Sequence, residues 1–507
     1  MSKTRIVIIV IFVVAGSIRL VDSLRPINQS SWREADLGSV SRNFVREGMD
    51  PLYPRIDWRG NGPGYAEMEL PLYPWITAVS YEIFGEKDVI GRLWSLAFSL
   101  GALFFFFRLA REYLDGVFLI AATAFFAFNP LVVEVSTSIQ PEGLTIFAYV
   151  AAVYYFLRWL RTGSDRDFWL AAFLTALTLL AKATAGHVGI LFAVLLIQKY
   201  GVSVVKQARV WMFGLIALVP AAAWYIHAKG LWTTYGNSLG VSNEYHWIGL
   251  DFFTNPYFIT GILRNEVVYA WTLFGLIVAA FGLIYGFRER LAHISLIWLA
   301  CVFVLYLAAA RTTADEWASY YHIFTVPAAA LLFGFGLKKA WDFLRDSADT
   351  FSQRSLVGNL FLLGVGLVVL FSGFATFAVE ARNTRARVLE HRVADESYQY
   401  AAELRPKLFA PGLILVSGGN CFDADGYRVA YNASFMFYWL DRKGSNICVE
   451  DQSIEKIREI ASGGTKYFIA QRSALKSKAG FETSLRNEFP VVNENETYIV
   501  LDLAKNR

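Results

Sequence analysis

The run VIGRLWSLAFSLGALFFFF, Val89 to Phe107, carries one charge, Arg92, near its start. A helix of that length reaches about 28 Å, close to the hydrocarbon core of a bilayer at about 30 Å. Runs of the same kind recur on both sides of it, at 5–22, 116–133, 143–160, 168–182, 187–200, 210–227, 266–286, 292–310, 320–337 and 357–378. The chain therefore reads as an α-helical polytopic membrane protein with about eleven spans. Lys3 and Arg5 ahead of a short apolar run ending near Ala15-Gly16-Ser17 also have the outline of a cleavable signal, which would leave the other spans unchanged. Composition agrees with spans: of 507 residues 55% are hydrophobic and 18% charged, against roughly 45–50% and 25% in a soluble chain. Many of the 15 Trp and 25 Tyr sit near the ends of apolar runs, where amphipathic rings favour the headgroup level. The net charge of +4 is small, and no nucleic-acid partner is expected.

The sign of the loops orients the chain. Lys3, Arg5, Arg108, Arg111, Arg158, Arg161, Arg166, Lys199, Lys206, Arg209, Arg288, Arg290, Lys338, Lys339, Arg345 and Arg354 fall on one side; only Lys182, Lys229, Arg264 and Arg311 fall in short loops on the other. By the positive-inside rule the N-terminus is cytoplasmic, and an odd number of spans places the C-terminus outside, periplasmic or extracellular.

Two polar regions interrupt this pattern. The loop 23–88 is expected to hold an amphipathic helix over 34–48, with Leu37, Val40, Phe44 and Val45 on one face and Ser31 and Glu34 spaced as a capping box. Such a helix beside a membrane is expected to lie in the interface; Pro51, Pro54, Pro63, Pro71 and Pro74 then brace an irregular segment. Residues 380–507 alternate apolar runs, Leu413–Val416 and Tyr467–Ala470, with helical stretches near 385–405 and 452–461, the pattern of a small external α/β domain. The division expected is a transmembrane module, 1–379, followed by that domain. Cys301 reads as a small buried hydrophobe; Cys421 and Cys448 are expected to bridge, two buried thiols being the alternative.

Ionisable residues near membrane depth are costly, so they tend to mark sites. Trp32-Arg33-Glu34-Ala35-Asp36, Glu67, Glu69, Gln140-Pro141-Glu142, Lys182, Arg311, and Asp315-Glu316 with Tyr320, Tyr321 and His322 are far apart in sequence, yet all fall on the expected external face. Each has a plain structural reading too: Glu34 as a helix cap, Glu142 on a helix dipole after Pro141, Lys182 snorkelling at a span end, His322 packed at the interface. No metal-ligand spacing is visible. The chemistry that such a set fits is transfer of a sugar from a lipid phosphate, in which a carboxylate takes the acceptor proton and cations hold the leaving phosphate.

In order and sidedness, Trp32 to Asp36, Arg42-Asn43-Phe44, Glu69-Leu70-Pro71-Leu72-Tyr73, Asn129-Pro130, Gln140-Pro141-Glu142, Leu180 to Thr184, and Asp315 through His322 to Pro327 resemble the GT-C superfamily of membrane glycosyltransferases. The resemblance is greatest to the family-39-like group that includes protein O-mannosyltransferases and lipid A aminoarabinose transferases, and it covers roughly residues 1–340. It implies a polyprenyl-phosphate-linked sugar as donor, an acceptor in the cell envelope and inversion at the anomeric carbon. It implies Asp36 as the catalytic carboxylate, with Glu142 as the second catalytic candidate. Arg33, Glu34, Glu67, Glu69, Lys182, Arg311, Asp315, Glu316, Tyr320, Tyr321 and His322 would bind donor or acceptor. No cofactor is indicated, though a divalent cation, Mg or Mn, is compatible. Glu69 stands where the aminoarabinose transferases carry a lysine, and Ala35 separates Glu34 from Asp36 where the mannosyltransferases have paired acids. The alternative reading is a secondary transporter of a polar or lipid-linked solute, which would place its polar groups near mid-membrane on broken helices.

Overall fold

A computed structural model describes residues 3–27, 32–240, 254–351, 396–408 and 412–504, apart from 425, 427, 428 and 430 and the side chains of 316, 317 and 347–351. The chain forms two compact units: one from residues 1–24, 92–224 and 246–389, the other from 25–91, 225–245 and 390–507.

The first unit is a helical bundle. Its elements are α1 (Lys3–Asp22), most of α4 (Asp88–Ala110), α5 (Gly116–Phe128), α6 (Pro130–Val135), α7 (Glu142–Thr162), α8 (Asp165–Ala181), α9 (His187–Tyr200), the greater part of α10 (Ala208–Tyr235), α11 (Pro256–Asn265), α12 (Leu273–Gly286), α13 (Arg290–Ala308), α14 (Ala310–Ala314) and α15 (Val326–Phe351). Among the described residues, six helices are long and apolar enough to cross a membrane, or eight if two bent pairs each count as one span. The expected run 168–182 is the 17-residue α8, and the run 357–378 lies outside the described residues.

The spans are less clean than their hydropathy suggests. The run 116–133 breaks at Asn129, whose side chain accepts the Leu131 N–H at 3.1 Å and restarts the chain as α6. Pro256–Trp271 and Leu273–Gly286 meet at 89°, with Thr272 at the break; Ala318–Phe324 and Val326–Asp346 meet at 56°. Apolar content fixes that a segment is buried or lipid-facing, but a single residue that leaves helical geometry sets the bend. Packing between α12 and α15 depends on small residues: a Cβ on Gly336 would lie 2.0 Å from the Val278 carbonyl oxygen. Backbones approach this closely only where side chains are absent.

The second unit joins the loop after α1 to the C-terminal region. Strands β3 (Leu413–Ser417), β4 (Gly444–Ile447), β5 (Thr465–Gln471), β6 (Val491–Glu494) and β7 (Tyr498–Asp502) form one sheet in the order β4-β3-β5-β7-β6, parallel over its first three strands and antiparallel beyond. Leu415, Phe468, Ile499 and Leu501 from the sheet and Ile457, Leu475 and Leu485 from its helices make the core. Both expected strand runs are present, and Cys421 is bonded to Cys448. Cys301 is a buried free thiol.

The helix expected over 34–48 is α2, Trp32–Glu47, and protein covers its polar as well as its apolar side. Glu34, Asp36, Ser39, Ser41 and Asn43 on its polar side are buried along with Leu37, Val40 and Phe44. The helix Ser434–Leu440 packs across it. Gly38 makes this contact close, since a Cβ there would meet the Tyr438 ring at 2.7 Å. Ser434 Oγ donates to the Trp32 carbonyl at 2.8 Å, and Trp439 Nε1 to that of Ile27 at 2.9 Å. A moderate apolar stripe beside small polar residues thus marks a helix enclosed by protein on both sides.

Candidate active site

In the second unit the polar residues of α2 converge with the loop that follows. Asp36 is 1% exposed. The Trp58 indole N–H donates to its Oδ1 at 2.8 Å, while Oδ2 is buried and makes no hydrogen bond among the described residues. Burial pushes the carboxyl up to about 7, opposed by smaller lowering effects of Trp58, Arg33 and Ser434 and assisted by the charge of Asp57. A carboxylate poised there is half ionised at neutral pH, which suits a group that must accept a proton.

Arg33 crosses from α2 to the segment before α3 (Leu72–Phe84), where its Nη2 donates to Glu69 Oε1 at 2.5 Å, and its Nη1 donates to the Leu239 carbonyl at 2.8 Å. Glu67 lies in β1 (Ala66–Glu67), paired in parallel with β2 (Asn237–Ser238); it accepts the Ser238 hydroxyl at 2.7 Å. Glu34, read as a cap, is fully buried and pairs with Arg25 at 3.4 Å; its spacing partner Ser31 lies outside the described residues. Arg33, Glu67 and Glu69 thus form one connected set beside Asp36, held together by residues 237–239.

In the first unit a second set forms. α7 and α8 run antiparallel about Gly163, whose φ of +70° closes the turn. Glu142 at the start of the hairpin and Lys182 at its end therefore return to one level. Their side chains pair directly and are largely buried. Lys182 leaves helical geometry (φ −162°, ψ 114°), and its Nζ lies 4.6 Å and 4.3 Å from the ring centroids of Tyr320 and Tyr321. Glu142 Oε2 is buried without a hydrogen bond among the described residues. Here a cation sits between a carboxylate and two aromatic faces, each of which lowers the cost of its burial. Asp315 accepts the Tyr257 hydroxyl at 2.9 Å, Arg311 sits half-buried in α14, and the Glu316 side chain lies outside the described residues.

His322 has different partners. It is fully buried, with Nε2 2.8 Å from the Thr313 carbonyl oxygen and Nδ1 2.6 Å from Glu266 Oε1. A carbonyl only accepts, so Nε2 carries a proton; the Nδ1 contact then needs a second proton, held by the imidazole or by the carboxyl. Glu266 also accepts from Tyr306, from Thr325 at 3.0 Å and from Trp271 at 2.8 Å.

Trp58 and Glu266 were not singled out from sequence. Glu266 opens an apolar run, and the test that marked Lys182 at the end of one applies to it equally. Trp58, in a proline-braced loop, gives no local sign of its partner. Among the described residues, the group of metal-ligand type lying close together is Cys421, Cys448 and Glu450, and its sulfurs form the disulfide.

A bundle of spanning and broken helices together with a small mixed-sheet domain is the fold of the GT-C class of membrane glycosyltransferases. The crystal structure of ArnT from Cupriavidus metallidurans in the apo state matches over 99% of both chains, with a TM-score of 0.61 at 14% identity. The same protein bound to undecaprenyl phosphate matches to the same extent. The oligosaccharyltransferase of Archaeoglobus fulgidus, tethered to an acceptor peptide containing the NVT sequon, matches with a TM-score of 0.55 at 13% identity, over 95% of this chain and 72% of that one. At these identities the likeness is one of fold. By sequence, residues 68–227 match the dolichyl-phosphate-mannose-protein mannosyltransferase family, and no curated protein matches the chain. The resemblance drawn from the motifs is borne out in fold by these structures and, over residues 68–227, in sequence by the mannosyltransferase family.

Proposed function

We propose that this membrane protein transfers a sugar from a polyprenyl-phosphate donor to a cell-envelope acceptor on the non-cytoplasmic face, with Asp36 as the base. The observation that carries the reading is the Asp36 carboxyl: buried, fixed through Oδ1 by Trp58 and poised near neutrality, with Oδ2 making no hydrogen bond among the described residues. The likeness of fold to ArnT, solved with undecaprenyl phosphate bound, and the mannosyltransferase match support the donor class.

In this mechanism the acceptor hydroxyl gives its proton to Asp36 as its oxygen bonds to the anomeric carbon. The bond from that carbon to the phosphate oxygen breaks, and its electron pair stays on the lipid phosphate. A single displacement inverts the anomeric centre. The leaving phosphate takes a charge-assisted contact from a cation, one that strengthens as charge develops; Lys182, paired with Glu142 in the first unit, is the residue the family resemblance offers for it. Arg33 and Glu69 shape the acceptor side.

The test is purified protein in lipid, offered several polyprenyl-phosphate sugars with and without added Mg or Mn, with release of lipid phosphate as the readout. Asp36→Asn should fold normally and lower release by about 10² or more; wild-type rates in that variant remove Asp36 from the mechanism. The second reading, a secondary transporter, gains from the two bent helix pairs, since broken helices line transport sites. Solute counterflow in proteoliposomes that is indifferent to Asp36→Asn would replace the enzyme reading.

A further inference from the structure

The far end of α7 carries a second cluster, which the sugar-transfer reading leaves unused. Arg158 and Arg161 lie 16 and 19 residues beyond Glu142, which places them about 24 and 28 Å along the helix from the Glu142–Lys182 pair. There α7, the end of α4 and the start of α13 enclose a cavity of about 200 Å³, lined by Leu109, Glu112, Tyr113, Tyr154, Leu157, Arg158, Arg161 and Arg290. That is roughly fifteen times the space one water requires.

The wall is built to receive negative charge. Arg158 is offset by Asp167 at 3.2 Å and Arg161 by Glu112 at 2.5 Å, whereas Arg290 makes no ion pair among the described residues. Tyr154, 1% exposed, is the informative group. Its hydroxyl oxygen accepts N–H donors from both Arg108 at 2.8 Å and Arg158 at 2.9 Å. With both lone pairs occupied by guanidinium groups, its own O–H is left as a donor that needs an acceptor. One cation in excess and a buried hydroxyl restricted to donation make a site for an anionic oxygen. Leu109 and Leu157 give the cavity an apolar side where three helix ends meet, as a headgroup joined to acyl chains requires.

We infer that this cavity binds the phosphate of an anionic phospholipid headgroup, at the end of the bundle away from Glu142 and Lys182. The experiment uses the full chain in detergent and follows the rise in melting temperature on titration with short-chain phosphatidylglycerol, phosphatidylcholine or inorganic phosphate. Phosphatidylglycerol should give a saturable rise that the other two do not. Arg161→Gln with Arg290→Gln, both at exposed positions, should weaken it about tenfold or more, at about 1 kcal/mol per cation. Glu112→Gln, which removes the one carboxylate of the wall, should strengthen it. Lys206→Gln, an exposed cation outside the cavity, should leave it unchanged. An equal response to phosphatidylcholine, an equal response to inorganic phosphate, or an equal loss in Lys206→Gln would each overturn the assignment. None of these residues belongs to the proposed catalytic set, so sugar release persisting in the double variant keeps the two readings separate.

Discussion

Replacing Trp58 with Phe removes one hydrogen-bond donor from Asp36 while keeping an aromatic ring in the loop. The lost bond is an indole N–H to a buried carboxylate oxygen at 2.8 Å, a kind worth roughly 1.5–3 kcal/mol when the acceptor is charged. It stabilises the ionised form, so its loss raises the Asp36 carboxyl from about 7 toward roughly 8 or 9, at 1.36 kcal/mol for each tenfold change in ionisation. A base acts only when deprotonated. The acid limb of kcat/KM should therefore move up with it, and at pH 7 the ionised fraction should fall from about a half to roughly 1–10%. Release of lipid phosphate at pH 7 should drop by about five- to fiftyfold and recover most of that loss by pH 9. A pH profile of wild type and variant, with Asp36→Asn as the baseline, reads this directly. A uniform loss across the pH range would show that Trp58 only packs the loop; an unchanged profile would show that Asp36 is not the titrating base.

Three further outcomes follow from other contacts. Lys182→Met should destabilise the protein by roughly 3–5 kcal/mol, because it leaves Glu142 buried without its cation. Adding Glu142→Gln should restore most of the melting temperature without restoring sugar transfer. Glu266→Ala should lower thermal stability by about 3 kcal/mol or more, since Tyr306, Thr325, Trp271 and His322 lose a shared partner; a melt matching wild type would show that those donors find other acceptors. Gly38→Ala drives a methyl into the Tyr438 ring and should cost roughly 1–3 kcal/mol. By loosening the enclosure of Asp36 it should shift the acid limb below 7, opposite in direction to Trp58→Phe.

Much of the fold was legible because bilayer thickness imposes a length on each apolar run, and alternation imposes a face on each strand. The runs at 89–107, 143–160 and 292–310 correspond to α4, α7 and α13 within a few residues, and Leu413–Val416 and Tyr467–Ala470 are strands. The breaks were not legible. Asn129-Pro130 was visible, but the bend at Thr272 comes from one residue with positive φ and no glycine to announce it. For the site residues, hairpin geometry made Glu142 and Lys182 meet, and that follows once Gly163 is recognised as the turn. Pairing of Arg33 with Glu69, or of Asp36 with Trp58, depends on the path of a proline-braced loop, whose direction no periodicity encodes. Burial of α2 on its polar side was equally hidden, because the helix that covers it, Ser434–Leu440, lies some four hundred residues away in the chain.

That covering helix gives the C-terminal region a role that its own residues do not advertise. Its described residues include no evident catalytic set, yet Ser434, Tyr438 and Trp439 hold α2 from one side, and the Arg42 guanidinium lies 3.8 Å above the Tyr438 ring. Segment 57–60, which carries Trp58, is tied to the same region: Gly60 N–H donates to the Gly444 carbonyl at 2.6 Å and Gly444 N–H to that of Asp57 at 3.0 Å. Both groups that define the state of Asp36, the helix that buries it and the indole that orients it, are thus braced by residues 434–444. A buried carboxyl costs stability when ionised: relative to the Asp36→Asn variant, which stays neutral, the folded protein should lose roughly 2–3 kcal/mol as pH rises from 5 to 8. That penalty is sustained only if the enclosure is stable enough to persist above neutrality. A disulfide between Cys421 and Cys448, spanning 27 residues within the same region, supplies about 3–4 kcal/mol toward it. In the proposed mechanism residues 434–444 act on the chemistry from behind the helix, by keeping the Asp36 carboxyl dry and its strength as a base near neutral.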